Sequence, residues 1–70
     1  MKIAVLNYET SDVDIVVVDM AYLRDNFAHS QDPVGDYLID ELGYHASNIS
    51  WMGEVKNINI VDQDEINQIL

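Results

Sequence analysis

The sequence predicts a small α+β domain, in which an antiparallel sheet packs against one main helix and a short helix closes the C-terminal end. Three observations point to it. Two stretches near the N-terminus are rich in β-branched residues and are separated by a short polar loop. A central segment carries an apolar stripe at helical spacing, between an Asp that can cap it and a Gly that can end it. The chain has 70 residues, 49% of them hydrophobic, and no Cys, which is enough for one core with no covalent staple.

Residues 2–8, with Ile3, Val5 and Leu6, read as the first strand. Residues 13–20, from Val13 to Met20, read as the second, and Glu9-Thr10-Ser11-Asp12 between them as the loop of a hairpin. The second strand is apolar on both sides: Ile15 and Val17 point one way, Val16, Val18 and Met20 the other. One small helix covers one face only. The other face is expected to be half exposed or buried in a homo-oligomer.

Residues 22–31 read as a short helical turn followed by loop, because Leu23 and Phe27 have i,i+4 spacing while Asn26, Ser30 and Gln31 weaken it. The main helix spans 33–42. Asp32 caps it, Pro33 needs no backbone donor at the first position, and Val34, Leu38 and Leu42 share a stripe flanked by Tyr37 and Ile39. Gly43 ends it in the left-handed conformation. Glu41 falls inside the stripe, where pairing with Lys2, Arg24 or Lys56, or leaning to the edge of the stripe, is the simplest expectation. Trp51 and Tyr44 are expected to complete the core around the helix end.

Residues 48–52 and 57–61 read as two further strands. Ile49 and Trp51 share one parity and Ile58 and Ile60 the other, so residues 53–56 hold either a turn, giving two hairpins, or a bulge, giving a hairpin plus one bent strand. The last segment, 62–70, reads as the short helix: Asp62 and Glu65 resemble a capping box, and Ile66, Ile69 and Leu70 form a narrow stripe that must dock to be stable.

Charge bounds the function. Thirteen Asp and Glu stand against Lys2, Arg24 and Lys56, a formal charge of -10. Three scattered cations do not offset a net negative field that repels phosphates, so direct nucleic-acid binding and docking on an anionic membrane are not expected. The longest wholly apolar run, Ile15 to Val18, is far too short to span a bilayer. The absence of Cys and of a long leader-like apolar region fits a cytoplasmic protein. A protein partner, if recruited by charge, should be cationic.

Site chemistry is sparse. Asp12-Val13-Asp14 and Asp62-Gln63-Asp64-Glu65 cluster oxygens without the spacing of a calcium loop. Asp25 and His29 could share a helical face, with only His45 to join them, short of a structural zinc set. No glycine-rich phosphate loop or nucleophile motif is present, so no catalytic residue, metal or cofactor is assigned. The candidate interaction surface is Asp12, Asp14, Tyr22, Phe27, Asp36 and Asp40. Its acids could imitate DNA phosphates as a decoy for a nucleic-acid-binding protein, or simply form a solvated face. Tyr22 and Phe27 could anchor a partner or fill the core.

The stretch Val34-Gly35-Asp36-Tyr37-Leu38-Ile39-Asp40-Glu41-Leu42-Gly43-Tyr44, followed by Ser50-Trp51-Met52, resembles a pattern in short acidic proteins encoded by Bacteroides-type bacteria and their mobile elements. The resemblance spans about half the chain and consists of packing residues. It implies a helix running into a Trp-Met strand and a mobile-element accessory protein, and it carries no activity and no site residues. The expected function is a non-enzymatic protein–protein interaction module that self-associates.

Overall fold

The computed structural model describes residues 1–62. Its first two elements form the expected hairpin: β1 (Lys2–Asn7) and β2 (Asp12–Val17) pair antiparallel without interruption, from Lys2 opposite Val17 to Asn7 opposite Asp12. Met1 and Val18 add a rung, with the Val18 N–H donating to the Met1 carbonyl at 3.0 Å and the terminal amine to the Val18 carbonyl at 2.8 Å. Ser11 completes the loop at a φ of 59°.

The chain turns into a helix sooner than the sequence pattern suggests. Helix α1 (Met20–Asn26) begins where the second strand was expected to finish, because the Asp19 carboxylate accepts the Ala21 N–H at 2.8 Å and caps it. Its Leu23 is buried. The helix stops at Asn26, so Asp25 and His29 do not share a continuous helical face.

The main helix starts as expected. Asp32 caps α2 (Pro33–Asp36) through a 3.1 Å bond from the Gly35 N–H, with Pro33 in the first turn. It continues as a π-helical turn (Tyr37–Glu41), closed by the Leu42 N–H on the Tyr37 carbonyl five residues back at 3.1 Å. The wider turn shifts the stripe out of phase. Leu38 is fully buried, but Leu42, expected beside it, is 43% exposed. Gly43, at a φ of 82°, makes the left-handed exit, and the Tyr44 N–H returns to the Leu38 carbonyl at 3.1 Å.

A 3-10 turn (Ala46–Asn48) leads into β3 (Ile49–Met52). This strand pairs with β1, antiparallel, from Asn7 opposite Ile49 to Ala4 opposite Met52, so the sheet order is β2-β1-β3. There is no second hairpin among the described residues: 57–62 follow β3 without forming a strand. Unbroken register would set Lys2 opposite Glu54, yet the Val55 N–H donates to the Lys2 carbonyl at 2.9 Å. One residue has been inserted, with Glu54 at a φ of 56°, as in a bulge. The expected C-terminal helix lies outside the described residues.

Among the described residues the architecture is a three-stranded antiparallel sheet with two helices, an α+β fold. Ile3, Val5, Val18, Leu23 and Leu38 form the core, flanked by partly buried Val16, Phe27, Val34, Tyr37, Tyr44 and Ile49. The sheet supplies Ile3 and Val5 from its central strand, and each helix supplies one leucine.

Candidate functional site

Register divides the sheet into two faces. Residues paired across an antiparallel ladder project to the same side. Ile3 with Val16 and Val5 with Asp14 and Trp51 therefore face the core side, and Ala4 with Ile15 and Met52 the outer side. Nothing among the described residues covers that outer side. Leu6 is 40% exposed, Ile15 39%, Met52 60%, Val13 66% and Val17 70%. A shallow groove of about 270 Å³ runs across it, lined by Ala4, Leu6, Ser50, Trp51 and Met52.

Electrostatics single out the same face. Between β1, β2 and β3, the outward-projecting positions hold Lys2 and no carboxylate, in a chain with thirteen acids. The acids lie elsewhere and several are engaged. Asp19 and Asp32 cap helices; Asp36 accepts from the Ser30 hydroxyl; Glu41 accepts from the Tyr22 hydroxyl; and Glu9 pairs with His45 at 3.0 Å. Glu41 thus finds a phenol rather than the expected cation, because the π turn carries it out of the stripe to an exposed position beside α1.

The six predicted surface residues do not gather into one patch. Asp12 opens β2 opposite Asn7, and Asp14 sits half-buried on the core side. Asp36 ends α2, and Asp40 is exposed on the π turn. Tyr22, 39% exposed, and Phe27, partly buried against the core, both meet the Tyr37 ring edge-on, with centroids 6.0 Å and 6.1 Å away. Phe27 therefore serves packing. Trp51, expected in the core, is instead 39% exposed on β3, at the edge of the sheet. The sequence had already marked the bare face through the double apolar pattern of β2. The part played by Leu6 and Met52 depends on the pairing of β3 with β1 and had no local signal.

Tyr44 locks the other side of β2. Its hydroxyl donates to Asp14 Oδ2 at 2.7 Å, joining the helix exit to the strand. Burial, and then the Asp14 carboxylate as acceptor and as charge, push the phenol up to about 12. The folded state therefore favours the protonated phenol. That contribution is complete below the ordinary value of 10.0 and disappears as pH rises through about 12. The melting temperature is expected to fall over this window, and to fall less steeply in Tyr44→Phe. Equal slopes in thermal melts of the two proteins would contradict it.

Neither the outer-face groove nor a second, apolar cleft of about 390 Å³ beside α1 includes Glu41 or His45 in its lining. Among the described residues, no group of three or more His, Asp or Glu is placed to hold a metal ion, and no helix is long and apolar enough to cross a membrane. Comparison with protein-family models, with curated proteins and with solved structures gives no match.

Proposed function

We propose that this protein is a non-enzymatic protein–protein interaction module that self-associates through the outer face of its sheet. The observation that carries the reading is the uncovered, carboxylate-free apolar face of a chain whose formal charge is -10. Apolar side chains at this density gain from leaving water, at about 25 cal/mol per Å². Two copies that meet on the acidic parts of the surface bring carboxylates together; here they bring Leu6, Ile15, Val17 and Met52 together instead. Engagement of Asp19, Asp32 and Asp36 in bonds within the chain favours this reading over a phosphate-imitating decoy, which needs its carboxylates free and aligned.

Sedimentation equilibrium at moderate salt tests it. The wild type is expected at twice the 8.0 kDa chain mass at tens of micromolar. Leu6→Glu, which places a carboxylate on the face that has none, is expected at the single mass with unchanged far-UV circular dichroism. A wild type that stays monomeric removes the reading.

A further inference from the structure

The free edge of the sheet carries information separate from its face. The ladder rungs fix which way each peptide group of β2 points. The Val18 N–H and C=O bond to Met1, so at every second residue back, Val16, Asp14 and Asp12, the backbone also faces β1. Val13, Ile15 and Val17 therefore turn their N–H and C=O groups outward. In the order β2-β1-β3 no strand lies beyond β2, and no backbone hydrogen bond reaches these three residues from another element among the described residues.

Natural sheets protect such an edge with Lys, Pro, a bulge, a very short strand or inward-pointing charges. β2 has only the last of these: it runs six residues in unbroken register and contains neither Lys nor Pro. Its charged residues are Asp12 and Asp14, both on the core-side row. They discourage a second copy, since a copy of β2 set against this edge has no cation to offer and meets them with Asp or Val.

We propose that the β2 edge accepts an added strand from a partner segment that alternates basic and apolar residues. An incoming antiparallel strand makes its hydrogen-bonded pairs with Val13, Ile15 and Val17, where its apolar side chains extend the outer face. Its intervening residues stand opposite Asp12, Asp14 and Val16 in the non-hydrogen-bonded pairs, whose Cα atoms lie only about 4.5 Å apart. Lys or Arg at those positions meets Asp12 and Asp14 at the closest cross-strand distance, where opposite charges stabilise and like charges repel. The bonds of the backbone supply the docking, and the two aspartates select the sign of the strand. This contact uses the edge and does not require the face-to-face association proposed above.

Fluorescence anisotropy with synthetic seven-residue peptides tests it on the intact chain. The probe alternates Lys with Val or Ile; one control has the same composition in blocks, and the other is the alternating peptide N-methylated at its Val and Ile residues. The alternating peptide is expected to bind at least about tenfold tighter than either control, a difference of about 1.4 kcal/mol. Ile15→Pro, which removes an N–H that faces away from β1, is expected to abolish the preference. The N-methylated control gives the same answer without altering the protein, should that variant not fold. Equal binding of all three peptides would reduce the effect to net charge and overturn the proposal, as would no binding at all. Either result leaves the sedimentation test of the outer face standing.

Discussion

Leu38→Ala is expected to lower the free energy of unfolding by about 2–5 kcal/mol, the range for truncating a buried leucine in a core that cannot collapse around the gap. Leu38 is fully buried, and it is the only residue of the main helix among the five that form the core. Its carbonyl also receives the Tyr44 N–H, so the same residue fixes the helix exit. A domain this small rarely has more than about 3–5 kcal/mol to lose. The variant should therefore be largely unfolded at 25 °C, whereas Leu38→Met, which nearly conserves volume, should cost less than about 1.5 kcal/mol. Urea titration followed by Trp51 fluorescence measures both. A loss below about 1 kcal/mol for the alanine variant would mean that the helix does not seat Leu38 against Ile3 and Val5.

What was legible in the sequence is what short-range chemistry decides. The Asp32 cap, Pro33 in the first turn and left-handed Gly43 each follow from a residue type at one position, and all three occur. The hairpin of β1 and β2 follows from two β-branched runs and a short loop. The third strand was located but its partner was not. Alternation along residues 48–52 says which side chains share a face, but carries no record of whether the neighbour is 57–61 or β1, some forty residues earlier. The π turn was hidden for a related reason: the spacing of Val34, Leu38 and Leu42 suits an ordinary helix. The wide turn is recorded only in the backbone, where the Leu42 N–H reaches the Tyr37 carbonyl.

The candidate site divides in the same way. The two-sided apolar character of β2 predicts a bare face from the sequence alone, because one helix layer cannot cover both sides of a sheet. A count of acids does not place them. Asp14 finds Tyr44 thirty residues away, and Asp19 caps a helix whose start was not foreseen. Composition cannot tell a solvated carboxylate from one that holds two elements together.

Self-association is expected to tighten as salt is added, and by a large factor. Each copy carries a formal charge of -10. Two such charges with centres ~25 Å apart in water repel by roughly 17 kcal/mol when unscreened. The Debye length is ~20 Å at about 20 mM monovalent salt and ~6 Å at about 300 mM, so about a third of that repulsion survives in the first condition and almost none in the second. Contact between Leu6, Ile15, Val17 and Met52 is apolar and does not weaken with screening. The dimer dissociation constant should therefore fall by at least ~100-fold across this range, as measured by sedimentation equilibrium at the two salt concentrations. A contact built on opposite charges, including a carboxylate decoy seated in a basic groove, must respond in the reverse direction. The sign of the salt dependence thus separates the two classes of interaction, and a dissociation constant that rises with salt would rule out the outer sheet face as the dominant contact.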